Sequence, residues 1–125
     1  MPVSAPVGTT ISLTATGVGA AAVTLTIPAP AAGTFHYISY IEISKVATAL
    51  LTAAATPVLV TTTNLNGNPT IDFSAGAELA GSAVVRQISP SIPLKSAVAA
   101  TATTIVCPAT TAVIWRVSAF WFVGP

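Results

Sequence analysis

Strict alternation of apolar and hydroxylic residues begins at Ile11. Ile11, Leu13 and Ala15 share one face of an extended chain, and Ser12, Thr14 and Thr16 share the other. This period-2 pattern predicts a half-buried strand. It resumes after Gly17-Val18-Gly19, where Val23, Leu25 and Ile27 alternate with Thr24 and Thr26. The glycines are therefore expected to turn a hairpin between the two strands. Pro28 and Pro30 end the second strand, since proline cannot donate to a ladder.

Thr34 to Val46 reads as a longer, aromatic strand. Phe35, Tyr37, Ile41 and Ile43 are expected on one face, and His36, Ile38, Tyr40, Glu42 and Ser44 on the other. Ala47 to Thr56 contains good helix formers, but Thr48, Thr52 and Thr56 interrupt them and Pro57 closes the run. It is read as a loop with at most one helical turn. Further strands follow at Pro57 to Thr63, Thr70 to Ser74, Val84 to Ser89, Thr103 to Cys107 and Thr111 to Val123. Asn66-Gly67 is the strongest hairpin dipeptide in the chain, and Ala75 to Ser82 reads as a loop. In the last strand Val113, Trp115, Val117, Ala119, Trp121 and Val123 line one face, while Ile114, Phe120 and Phe122 join Arg116 and Ser118 on the other. About eight strands without a convincing helix predict an all-β fold, a single antiparallel β-sandwich of jelly-roll topology.

With 125 residues there is one core. The expected division is an extended N-terminal arm over residues 1–8 and a sandwich domain over 9–125, the arm suggested by Pro2, Pro6 and small residues. Charge changes the picture more. Four Lys+Arg and three Asp+Glu make 6% of the chain, against about 25% in an ordinary domain. A net charge of +1 cannot neutralise many phosphates, so no nucleic-acid partner is expected. Mean hydropathy is +0.83, and Ser96 to Trp115 is uncharged. Its Ala, Thr, Val and Ser content and central Pro108 nevertheless argue against a membrane span. The start lacks a basic, then apolar, leader pattern, and a single cysteine, Cys107, fits synthesis in a reducing cytoplasm.

Candidate chemistry is sparse. His36 would need a nucleophile and an orienting acid. Glu42, placed on the same strand face, is roughly 20 Å away in an extended chain, so His36 reads as a core-rim or interface histidine. Glu42, Asp72 and Glu78 are scattered, and no metal or cofactor is expected. Asn64, Asn66 and Asn68 with Asp72 are explained by turn formation. Cys107 has no neighbouring cation in sequence and reads as a buried thiol. Trp115, Phe120, Trp121 and Phe122 fit either a sugar-stacking platform or a strand with core on one face and interface on the other. The second apolar face then needs a partner. The interface candidates are Val3, Val7, Tyr40, Phe120 and Phe122.

Three runs carry a family resemblance. Phe35-His36-Tyr37-Ile38-Ser39-Tyr40-Ile41-Glu42-Ile43, then Thr56-Pro57-Val58-Leu59-Val60-Thr61-Thr62-Thr63-Asn64-Leu65, then Thr104-Ile105-Val106-Cys107-Pro108 with Trp115-Arg116-Val117, resemble small virion structural proteins of tailed bacteriophages. These are capsid decoration or head-fibre modules. The resemblance is one of pattern and composition. It implies a non-enzymatic decoration protein at the capsid surface, docked on a major capsid protein as a homo-oligomer, with a trimer expected, its arm touching neighbours. The alternative is a receptor- or carbohydrate-binding module of a fibre or spike, signalled by an exposed Trp121 near the Asn66 turn. An enzyme is not expected, since the small jelly-roll enzymes need two or three histidines.

Overall fold

The computed structural model describes residues 11–53, 56–73 and 76–125. Among them the chain forms nine strands: β1 (Ile11–Thr16), β2 (Val23–Ile27), β3 (Phe35–Ala47), β4 (Val58–Thr63), β5 (Ile71–Phe73), β6 (Ala83–Ile88), β7 (Leu94–Lys95), β8 (Thr103–Cys107) and β9 (Val113–Gly124). One sheet has the order β1-β9-β3-β6, with the two-residue β7 also on β3, and the other the order β2-β8-β4-β5. Every pairing is antiparallel. With β7 set aside, the remaining strands interleave between the sheets in the double Greek-key order of a jelly roll. The all-β sandwich reading holds; β7, hidden between Pro93 and Ser96, is additional.

Two local readings need correction, and two others hold. β1 and β2 do not form a hairpin: β1 pairs with β9, and β2 pairs with β8 in the opposite sheet. Period-2 patterning fixes faces but not partners. Gly17 serves the crossing instead, because a Cβ there would lie 2.4 Å from Val23 Cγ2. Asn66-Gly67 does form a turn, with Asn68 N–H donating to Leu65 O at 2.9 Å and Gly67 at φ +80°. That turn only tips a wide loop, since β4–β5 pairing begins at Val60↔Ile71. No helical turn occurs at the described residues of the 47–56 stretch, which bends to form an isolated bridge between Leu51 and Glu78. Ala54 and Ala55 lie outside the described residues.

The second correction shapes the outer face of the sheet. Along β3, Tyr37 faces Phe122 and Ile38 faces Trp121, but Tyr40 then faces Phe120, so Ser39 is an extra residue in the ladder. Its hydroxyl donates to Phe120 O at 3.1 Å. A β-bulge reverses the alternation. His36 and Ile38 are buried before it, and Ile41, Ile43, Lys45 and Ala47 after it. Phe35, Tyr37, Tyr40 and Glu42 thus fall together on the outer face. Uninterrupted alternation had put Phe35 and Tyr37 with Ile41, and His36 with Glu42.

Both sheets contribute to the core. Trp115 of β9 meets Phe73 of β5 edge-on at 5.1 Å between ring centroids, and its indole N–H donates to Pro108 O at 2.8 Å. The Ser96–Trp115 stretch holds β8 and the start of β9, and no helix among the described residues is long and apolar enough to cross a membrane. One charge enters the core face: Lys45, 2% exposed, pairs with Glu78 at 3.0 Å. Reciprocal backbone bonds between Leu51 and Glu78, at 2.8 and 3.0 Å, hold the acid's loop in place.

Removing one member of a buried pair strands the other charge in low dielectric. Glu78→Gln is expected to destabilise the fold by about 3 kcal/mol, whereas the double change Lys45→Met, Glu78→Leu recovers most of that loss. Denaturant unfolding of the three proteins checks this; equal losses in single and double variants would contradict it.

Candidate functional site

The bulge and the β3–β9 register assemble an aromatic strip on the outer face of the five-stranded sheet. Tyr37 stacks on Phe122 with centroids 5.2 Å apart and planes 5° apart. Tyr40 lies against Phe120 at 5.5 Å, tilted by 45°. Lys95 of β7 extends the strip by placing its Nζ 4.1 Å from the Phe35 ring centroid, a cation–π contact. Phe120 remains 43% exposed. The expected interface residues Tyr40, Phe120 and Phe122 therefore lie together. Tyr37, Phe35 and Lys95 were missed as partners; the bulge hid the first two, and the shortness of β7 hid the last. Val3 and Val7 lie outside the described residues.

Polar groups fix the strip's edge. Tyr40 donates to Glu42 Oε2 at 2.6 Å, and Gln87 Nε2 donates to the same oxygen at 3.2 Å. These bonds, Tyr40's first and Gln87's next, hold the Glu42 carboxyl below its ordinary range. The Tyr40 hydroxyl is raised in return, chiefly by its bond to Glu42. Toward β1 the face continues as hydroxyls, with Thr14 and Ser118 joined at 2.9 Å. Arg116 shares this side of β9, so the rim carries both signs of charge. Paired aromatics on the outer face of the sheet with a hydrogen-bonded polar margin offer anchors of the kind that protein-docking surfaces use.

His36 is elsewhere. It is fully buried on the core face, while the bulge puts Glu42 on the outer face, so the two do not share the face assigned to them. The His36 Nε2–H donates to Pro28 O at 2.7 Å, which leaves Nδ1 to accept the Thr103 hydroxyl at 2.8 Å. Thr103 Oγ1 in turn accepts from Asn64 Nδ2 at 3.3 Å. Asn64 also donates to Thr101 O at 3.0 Å and accepts from Val98 N–H at 2.8 Å. The histidine is thus a polar cross-link between sheets, as a core-rim reading requires. Asn64 closes a loop, as its turn reading implied. Cys107 is buried, and desolvation pushes its thiol up to about 12.

Both tryptophans belong to the core: Trp115 is fully buried and Trp121 is 4% exposed. The exposed Trp121 expected of a sugar-binding module is not found, because its face of β9 packs inward. Among the described residues no group of three His, Cys, Asp or Glu could hold a metal.

No family model matches the chain, and no curated protein matches its sequence. Among solved structures, the chain is similar to the cryo-EM structure of the giant freshwater prawn Macrobrachium rosenbergii extra small virus virus-like particle. The identity is 12%, covering 97% of this chain and 83% of that one, with a TM-score of 0.32. The jelly-roll topology stated above stands on the strand order alone.

Burial lowers the His36 pKa below 6.5, while the Pro28 bond pulls weakly the other way. A depressed folded-state value means that the unfolded chain binds the proton first as pH falls. The neutral imidazole's contribution is complete above 6.5 and is lost as pH drops through the folded-state pKa. Unfolding free energy is expected to be flat from about pH 8 to 6.5 and to fall toward pH 5.5. The slope should vanish in His36→Gln; an unchanged slope in that variant would show that another group carries it.

Proposed function

We propose that this chain is a non-enzymatic virion structural protein: a capsid decoration protein of a tailed bacteriophage that assembles as a homotrimer on the major capsid protein. The observation that carries the reading is the outward-facing aromatic strip, half-buried except at exposed Phe120, on a domain with only seven charged residues, four basic and three acidic. Jelly rolls serve as viral capsid proteins, lectins and cupins, and a fold alone does not choose among them. The residues weigh the choice. The one histidine is committed to a core hydrogen-bond chain, which disfavours a histidine-based active site. The tryptophans face inward, which disfavours a Trp-based sugar platform. A strip anchored by Tyr37, Tyr40, Phe120 and Phe122 favours protein contact, and a nearly uncharged exterior suits a molecule held in a permanent assembly.

Size-exclusion chromatography with light scattering is expected to give a trimer at micromolar concentration. Phe120→Ala is expected to weaken association by about 2 kcal/mol, roughly thirtyfold, without loss of β-sheet circular dichroism. Imaging of the source particle should place the chain at regular lattice positions on the head. A stable wild-type monomer, or a particle lacking the chain at such positions, would count decisively against this function.

A further inference from the structure

A second uncovered apolar surface lies at the opposite edge of β9 from β3. Ile11 and Leu13 pair with Trp121 and Ala119, so they belong to the core-facing side of β1. Yet they are 44% and 36% exposed, while Ala15, further along the same face, packs against the core. The leading half of β1 therefore overhangs the opposite sheet. Beneath it runs a groove of about 400 Å³ walled by Ile11, Leu13, Pro28, Pro30, Trp121 and Val123. No Lys, Arg, Asp or Glu lines it.

We propose that this groove receives residues Pro2–Val7 of a second copy of the chain, so that subunits exchange N-terminal arms. This rests on the homo-oligomer reading above. The chemistry matches: Pro2-Val3-Ser4-Ala5-Pro6-Val7 is uncharged and apolar at alternate positions, as an extended segment laid in an apolar groove must be. Direction favours a neighbour. Ile11 is itself a wall of the groove, so occupancy by the chain's own arm demands a reversal within Gly8-Thr9-Thr10. Thr9 and Thr10 are β-branched and favour extended backbone, and Pro6 fixes its own φ. If the chain before Ile11 continued the direction of β1, it would lead away from its own groove. Ten residues reach about 33 Å, comparable with the breadth of a domain this size.

Cross-linking tests the exchange. Val3→Cys and Ala29→Cys are introduced together in the full chain and oxidised; Cys107 is buried and stays silent. The expected product is a covalent link between chains, seen as dimers and higher species by non-reducing mass analysis and requiring both cysteines. A link within one chain, or no link, overturns the proposal. As a second measurement, a synthetic Pro2–Thr10 peptide should bind saturably to the chain shortened by residues 1–8, with at least tenfold weaker binding when Leu13→Glu is added. Absence of binding also overturns it. If the shortened chain keeps the wild-type oligomer at every dilution, arm exchange fails while face-to-face assembly stands; a monomeric wild type removes both.

Discussion

One inserted residue governs the exterior and the interior together. Without the bulge at Ser39, β3 would carry a single parity along its thirteen residues, and Tyr37 and Tyr40 could not both face outward. The reversal lets Tyr37 meet Phe122 and Tyr40 meet Phe120 on one surface while His36, Ile38, Ile41 and Ile43 all reach the core. The Ser39 hydroxyl, bonded to the Phe120 carbonyl, anchors the distortion to the strand whose aromatic it displays. Bulges recur where a strand must re-aim a side chain. Here the re-aimed set is the aromatic strip.

Toward its two ends, β3 is tied to the rest of the sandwich by different polar devices. Near the start, His36 and Thr103 join the sheets, and Asn64 carries the chain of bonds out to the 97–101 loop. Toward the end, the Lys45–Glu78 pair and the Leu51–Glu78 bridge hold two loops against the sheet. A chain with so few charges that commits one ion pair to its interior gains little net energy from it, since desolvation offsets most of the attraction. Such a pair instead penalises any arrangement in which its members separate.

The strand faces were legible because hydroxyl–aliphatic alternation is strong: β2, β8 and β9 bury the residues that period 2 assigns. Partner choice was not. The β1 and β2 segments look like a glycine-linked hairpin, and only the pairing of β1 with β9 and of β2 with β8 reveals that the link crosses between sheets. Nothing in the sequence near Ser39 marks a bulge, because serine there satisfies either parity. That silence misassigned the faces of Phe35, Tyr37, His36 and Glu42. Tyr40, Phe120 and Phe122 were still found, because an apolar residue on the nominally polar face of a strand is visible whichever parity is used. Lys45 was invisible as a core residue for the complementary reason: a charge on a strand reads as solvent-facing until a buried acid from a distant loop meets it.

The two uncovered surfaces are physically different and suit different roles. The aromatic strip is built of paired rings and bordered by Glu42, Arg116 and Lys95, so a partner docked on it would have to match both its shape and its charges; such a surface confers specificity. The groove beside β1 has no Lys, Arg, Asp or Glu and is walled mainly by two prolines, Trp121 and aliphatic groups, with His36 and Ser12 as its polar members, so it discriminates little beyond apolarity and extension. A tethered occupant needs little discrimination, because attachment raises its local concentration to about the millimolar range. In the proposed assembly, specific contact through the face and weak, concentration-driven contact through the arm would be complementary. There the first would select the neighbour, and the second would tighten the assembly once that neighbour is in place.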